Sequence, residues 1–341
     1  MRAYELHRPT SIDEAIRVLE EHGTHARPLG GGTDLVTGIM RDAVTGRGMP
    51  YPEHLVDLQT VGIAGIDMGP DHVTIGAMTL LAEVSESEQL RERLPLLADA
   101  AGSVASPEIR AIGTLGGNIN QRPRCWFFRM KDFDCIKKGG DICFAVDGDN
   151  RFNAILEGHL CFIIHPSDLA TALVALDAEA VVASAEGERI IRFDDYFVTP
   201  RENLLAENVL APGDILTAVR VPYVREGMGQ AWLKLNEKGR PTWDFAVASA
   251  AVTVDARDGQ WHGGRIVLGG VAPVPYRASV IEEHLAGRDI RSSIAEATRQ
   301  FREVARPMSD NGYKVDLAEA IAERAVLAAL QSASATPVEG T

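Results

Sequence analysis

Four cysteines in this 341-residue chain fall within one window of 37 residues, spaced Cys125-x9-Cys135-x7-Cys143-x17-Cys161. Thiols gathered in this way can close disulfides, hold a zinc ion or ligate an iron–sulfur cluster. Structural zinc sites usually draw thiolates from C-x2–4-C knuckles, and here even the closest pair has seven residues between its members. A cubane cluster is larger and accepts ligands from separated turns. The surroundings suit it: Arg122, Arg124, Arg129, Lys131, Lys137 and Lys138 face only Asp132 and Asp134 between residues 121 and 140, in a chain of net charge −14. Such positive charge offsets the negative charge of a thiolate-bound cluster and raises its potential. Trp126, Phe127 and Phe128 offer shielding from water, and Gly139-Gly140 offers backbone freedom for wrapping. Disulfides, zinc and a cluster all remain open on these residues alone.

Two glycine-rich stretches precede the cysteines, Leu29-Gly30-Gly31-Gly32-Thr33-Asp34-Leu35 and Gly113-Thr114-Leu115-Gly116-Gly117-Asn118-Ile119. Successive glycines let backbone N–H groups curl around an anion, and a following helix adds a favourable dipole. Two such loops suit a diphosphate clamped from both sides. Neither fits G-x-G-x-x-G and no G-K-[ST] follows, which disfavours a Rossmann site and excludes a P-loop. The plainer alternative is two tight turns. There is no compelling Ser/His/Asp or H-E-x-x-H arrangement. The nine histidines are scattered and read as surface or cap residues, with His165 as a turn histidine.

The elements that must position these residues follow from periodicity. Thr10 and Ser11 offer N-caps for a helix with Ile12, Ala15, Ile16 and Leu19 on one face, ending at Gly23. Strands are predicted at 26–29, 54–58, 73–75, 180–184, 215–221, 246–254 and 265–271. Helices are predicted after Leu35 to Met40 and at 94–105, 167–176, 292–305 and 317–330. Residues 121–160 show little periodicity. The length predicts two or three domains, and the charge argues against a nucleic-acid partner. No uncharged apolar stretch of about 18 residues is present to span a membrane. The N-terminus lacks a signal-peptide core, so a reducing, cytoplasmic location is expected, with export of an assembled complex on a partner's signal as the alternative.

The two glycine-rich stretches resemble the paired FAD-pyrophosphate motifs of the flavoprotein (medium) subunits of molybdenum hydroxylases, the xanthine dehydrogenase and carbon monoxide dehydrogenase group. The resemblance continues through His165-Pro166-Ser167-Asp168-Leu169-Ala170, Pro212-Gly213-Asp214-Ile215-Leu216 and Leu268-Gly269-Gly270-Val271-Ala272, and so covers nearly the whole chain. It implies an α+β protein: a two-subdomain FAD-binding fold of the vanillyl-alcohol oxidase type plus a C-terminal α+β domain. The expected divisions are 1–57, 58–222 with an insert at about 121–161, 223–331, and a tail at 332–341. By the same resemblance, Leu29, Gly30, Gly31, Gly32, Thr33 and Asp34 hold the pyrophosphate together with Thr114, Gly116, Gly117 and Asn118. Asp168 and Leu216 lie against the flavin nucleotide, and Lys234 lies near the isoalloxazine. The plainer alternatives are a helix N-terminal charge for Asp168 and a solvated surface lysine for Lys234.

A subset of the family, including 4-hydroxybenzoyl-CoA reductase and the bacterial aldehyde oxidoreductase with a separate flavin subunit, carries a 4Fe–4S cluster in this insert. The present insert is most similar to the aldehyde oxidoreductase version, which implies Cys125, Cys135, Cys143 and Cys161 as cluster ligands. The implied function is that of an FAD and 4Fe–4S electron-transfer subunit with no catalytic side chain of its own. Its implied partners are a large molybdopterin subunit and a small subunit with two 2Fe–2S clusters. A ferredoxin-like acceptor would be steered by a basic rim of Arg122, Arg129, Lys137 and Lys138. The alternatives are a stand-alone FAD-dependent oxidase or dehydrogenase and a zinc-stabilised scaffold.

Overall fold

A helix with one apolar stripe needs a sheet to bury it, and the first 60 residues supply both. In the computed structural model, which describes residues 1–238 and 244–335, the helix Ile12–His22 starts where the Ser11 hydroxyl accepts from the Glu14 N–H, and it buries Ala15, Ile16 and Leu19. Full burial of a leucine such as Leu19 contributes roughly 1.5–3 kcal/mol. It packs on a three-stranded parallel sheet, β1 (Glu5–His7), β2 (Ala26–Leu29) and β3 (His54–Asp57), with β3 central. The predicted stretch from Leu35 to Met40 is a short π-helix.

The second sheet is antiparallel, in the order β4-β5-β8-β6-β7: β4 (Ile66–Met68), β5 (His72–Gly76), β6 (Glu179–Ser184), β7 (Gly187–Arg192) and β8 (Ile215–Pro222). Helices Pro95–Gly102 and Asp168–Ala175 share one core with its strands, where Leu97, Leu173, Val182 and Val219 meet. The predicted helix 94–105 is shorter, because Pro95 opens it and Ser103 caps it. Strands β4 and β7 escape a periodicity search, since β4 is only three residues long and β7 is an exposed edge strand with no alternating apolar set.

The third sheet, β12-β11-β10-β9, comprises β9 (Gly229–Leu235), β10 (Ala248–Arg257), β11 (Gln260–Gly269) and β12 (Tyr276–Arg277). Ala248, Ala250, Val252 and Val254 point into a core built with the helix Tyr313–Ala335, while Ala251 and Val267 join the core under Asp168–Ala175. Burial on both faces explains why Ala248 to Val254 of β10 reads as a run of small and β-branched residues instead of an apolar–polar alternation. The expected helix 292–305 is two helices, Ile290–Arg299 and Phe301–Val304. The last helix runs on to Ala335, so 332–335 belong to it and not to a tail; 336–341 lie outside the described residues. Among the described residues no helix is long and apolar enough to cross a membrane.

Candidate functional site

The two glycine-rich loops, about 80 residues apart in sequence, touch. A β-carbon on Gly31 would lie 2.0 Å from the Ile112 carbonyl oxygen, and one on Gly30 would lie 2.6 Å from Thr114 Oγ1. Only glycine permits this backbone approach. The N–H groups of Gly30, Gly31, Gly32, Thr33 and Asp34 donate to no acceptor among the described residues. Consecutive unused donors ahead of a helical turn are the arrangement by which backbone can receive an anion. The second loop is held differently. Leu115 and Gly116 donate to the carbonyls of Thr79 and Ala77 at 2.9 and 2.8 Å, and the Thr114 hydroxyl caps the helix Leu115–Ile119 by accepting from Gly117. Its glycines serve close packing, with a β-carbon on Gly116 placed 2.9 Å from that of Ala77.

From this loop a buried chain of polar contacts leads to the C-terminal sheet. Ser167 Oγ donates to Asn118 Oδ1 at 2.6 Å and accepts from the Ala170 N–H, capping the helix that begins at Asp168. Asp168 pairs with Lys234 at 2.6 Å, with each side chain only 6% exposed, and Lys234 also donates to the Ser103 carbonyl at 3.0 Å. Burial pushes the Asp168 carboxyl upward and Lys234 opposes that shift. Asp168 does stand in the first turn of its helix, as the plainer reading has it, but also forms a buried ion pair, whereas the reading of Lys234 as a solvated surface lysine fails. Leu216, on β8, is buried in the same core as Leu115, Ile119 and Leu169. Leu29 ends β2, 3.4 Å from where a β-carbon on Gly32 would stand.

Asp34 takes a role the sequence does not advertise. Its carboxylate turns away from its own loop and pairs with Arg124 and, at 2.8 Å, with Arg129, while accepting from the Arg122 N–H at 2.9 Å. Burial alone would raise its pKa, but Arg124 and Arg129 hold it below the ordinary carboxylate value. Burial pushes Arg124 down to about 10 against the pull of Asp34. This cluster ties the first glycine-rich loop to the cysteine insert.

Within the insert all four cysteines are free thiols. Cys125 and Cys135 pack into a small core with Ile39, Val44, Met49 and Phe128. Burial raises the pKa of Cys125 and Cys135 and pushes Cys161 up to about 12. Cys143 lies within electrostatic reach of each of the other three, where its ionised form disfavours theirs. Among the described residues no three thiols come within 4.8 Å of one another. A tetrahedral zinc ion, with Zn–S of about 2.3 Å, would bring them to about 3.8 Å. As free thiols, then, no three of the described cysteines stand at the spacing of a single bound ion.

The basic residues do not form the expected rim. Lys137 and Lys138 are buried; Lys137 donates to the Ala206 carbonyl and pairs with Glu207 at 3.0 Å, and Lys138 donates to the Met130 carbonyl at 2.7 Å. Arg122 pairs with Glu207 at 2.8 Å and Arg129 with Asp34. Their charge is spent inside, next to the thiols, so steering of an acidic partner by these four residues does not hold. Phe128 is fully buried and Phe127 partly so, whereas Trp126 is half-exposed and shields little. Gly139 adopts φ +91°, and a β-carbon on Gly140 would strike the Asp134 carbonyl at 1.8 Å, so both glycines are required by the turn. His165 is buried with its pKa down to about 3, chiefly through desolvation and then through Lys137. It is a neutral structural imidazole whose Nδ1 accepts from the Ser167 N–H at 3.4 Å. A cavity of about 250 Å³ opens beside Cys125, between Trp126, Phe152 and Asn153 of the insert region and Phe245 and Val247 ahead of β10.

Comparison with known proteins agrees with this geometry. Residues 2–224 match the FAD binding domain in molybdopterin dehydrogenase, and residues 235–329 match the CO dehydrogenase flavoprotein C-terminal domain. The carbon monoxide dehydrogenase medium chain of Afipia carboxidovorans is 29% identical over 95% of this chain and 96% of its own. The aldehyde oxidoreductase FAD-binding subunit PaoB of Escherichia coli is 29% identical over 86% and 88%. Among solved structures, a chain of the carbon monoxide dehydrogenase from Hydrogenophaga pseudoflava superposes with a TM-score of 0.76 at 26% identity, covering 97% of this chain and 98% of that one. The chain belongs to the FAD-binding subunit family of the molybdenum hydroxylases, an oxidoreductase family with an α+β flavoprotein fold.

Proposed function

We propose that this chain is the FAD and 4Fe–4S electron-transfer subunit of a heterotrimeric molybdenum hydroxylase that oxidises aldehydes. The observation that carries the reading is the set of four free thiols around Cys143, joined through Asp34 to the loop whose five N–H groups are unused. Gly30 to Asp34 would receive the pyrophosphate of FAD through those N–H groups, with Thr114, Gly116, Gly117 and Asn118 closing the other side. Asp168, Leu216 and Lys234 would border the flavin nucleotide, and the cavity beside Cys125 leaves room for a ring system. FAD supplies an electron carrier able to exchange electrons singly or in pairs.

Cys125, Cys135, Cys143 and Cys161 would ligate the cluster. The raised pKa values of Cys125, Cys135 and Cys161 mean that the bare pocket favours their neutral thiols, so the positive charge of the irons must draw off the protons. Buried Lys137 and Lys138 add positive charge beside Cys161 and Cys135. The lack of a C-x2–4-C knuckle favours a cluster over zinc.

In this reading a large molybdopterin subunit oxidises the substrate and a small subunit with two 2Fe–2S clusters delivers the electrons to this chain. A ferredoxin-like protein is the proposed external acceptor. With the basic residues turned inward, exposed Trp126, Met130, Ile142 and Val146 are the insert's candidates for partner contact. The complex is proposed to work in the cytoplasm unless a partner's signal exports it. Similarity to PaoB favours aldehydes as substrates.

Iron, molybdenum and flavin measured per protomer in the co-purified complex test the reading, with four irons expected in this chain. Cys143→Ser should lose those irons and the broad absorption near ~400 nm that accompanies them, while retaining FAD. An iron-free chain with full flavin would refute the cluster, and turnover of an aldehyde by the isolated chain would refute the subunit role.

A further inference from the structure

Three histidines outside the cofactor site meet at one end of the N-terminal sheet. His7 closes β1, His22 ends the helix Ile12–His22, and His54 opens β3, so three separate elements converge. Their ring nitrogens all lie within 4.8 Å of one another. His7 Nε2 and His54 Nδ1 are 3.1 Å apart, and the His22 and His54 rings stack with centroids 3.6 Å apart and planes 6° from parallel. Glu5 stands beside them, its carboxylate oxygens 3.7 Å from His54 Nδ1 and 3.9 Å from His7 Nε2. The side chains of His7 and His54 are each 20% exposed, reachable from solvent but mostly withdrawn from it.

We propose that His7, His22 and His54 bind a divalent transition-metal ion of the zinc, nickel or copper class, with Glu5 or water completing the coordination. Two facing imidazoles can share one N–H···N hydrogen bond, but a third ring stacked on them gains nothing from that bond. A metal ion takes a lone pair from each once the His22 ring, now parallel to that of His54, tilts out of the stack, because an imidazole lone pair lies in the plane of its ring. Metal–nitrogen distances of about 2.0–2.1 Å place two nitrogens of a tetrahedral site about 3.3 Å apart, near the observed 3.1 Å. Imidazole donors select this class of ion over magnesium or calcium, which prefer oxygen. In register, His54 pairs with Glu5 of β1 and Ala26 of β2, at the opposite end of β2 from Leu29 and the first glycine-rich loop. The ion would pin β1 and the end of the first helix onto the strand pair that presents that loop.

The test uses the full chain as purified. Zinc titration by calorimetry should show uptake of one ion that persists in Cys143→Ser. In His22→Gln and His54→Gln the uptake should vanish or weaken at least about tenfold, with circular dichroism and flavin content confirming the fold. Loading wild type with copper(II) should give electron paramagnetic resonance splitting from several imidazole nitrogens, reduced in His7→Gln. Zinc uptake that survives His54→Gln and disappears with Cys143→Ser would overturn the site. So would copper bound by wild type without nitrogen splitting.

Discussion

Replacing Asp34 by asparagine keeps its shape and removes the charge that Arg124 and Arg129 share. Those guanidinium groups, 26% and 16% exposed, would then lose the carboxylate that compensates their burial. Removing one partner of a buried pair costs about 3–5 kcal/mol, and discounting for partial solvent screening leaves about 2–3 kcal/mol. At about 1.4 kcal/mol per tenfold, the contact between the first loop and the insert should open roughly 30- to 150-fold more often. Hydrogen–deuterium exchange at pH 7 reads this directly at Arg129 and Met130, whose N–H groups donate to Cys125 and Trp126, and at Gly38 and Ile39, which donate to Asp34. Asp42→Asn is the control: its pair with Arg41 is 46% and 66% exposed, so exchange should change by no more than about threefold. Asp34 is held below the ordinary carboxylate pKa. Its contribution is therefore complete above the unfolded value of about 3.9 and is lost as pH falls through the folded value. Wild type and variant should converge only in strong acid. Exchange in Asp34→Asn within about threefold of wild type at pH 7 would refute the argument that this carboxylate joins loop to insert.

Gly31→Ala should force the two loops apart, because its β-carbon meets the Ile112 carbonyl at 2.0 Å. An overpacking cost of about 1–3 kcal/mol should weaken FAD binding about 5- to 150-fold by fluorescence titration. Gly102→Ala, whose β-carbon meets only Ser85 at 3.7 Å, should leave binding unchanged. Lys234→Met strands the Asp168 carboxylate and should cost about 3–5 kcal/mol in chemical denaturation, most of it recovered when Asp168→Asn is added. Lys314→Met orphans the carbonyls of Phe152 and Gly270 that the buried Lys314 side chain now bonds, leaving that of Asn153 to the Asn311 amide, and should cost about 1–3 kcal/mol. Burial pushes Lys314 down to about 7, so wild-type stability should rise with pH between about 7 and 10.4, a slope the variant lacks.

Much of the loop architecture was legible because it rests on short-range chemistry. Glycine runs mark places where a backbone must come close to something, and the loops do meet at Gly31 and Ile112. Ser11 and Ser167 announce helix starts through their own hydroxyls. Lys234 and Asp168 were reached only through family resemblance, and nothing in their neighbourhoods says that they face each other across 66 positions. Lys137 and Lys138 read as surface charge because lysine usually is, and their burial depends on Glu207 and on carbonyls from elsewhere in the fold.

Local patterning marked most of the helices and strands and the places where backbone must approach backbone, since each of these is written within a few residues. Folding decided which charges meet. Asp34 serves the insert because Arg124 lies 90 positions away in sequence but beside it in space. His7 and His54, 47 positions apart, become neighbours only when β1 pairs with β3. A side chain's pKa, partner and ligand depend on what surrounds it in three dimensions, and sequence spacing carries that information only within a turn or a strand.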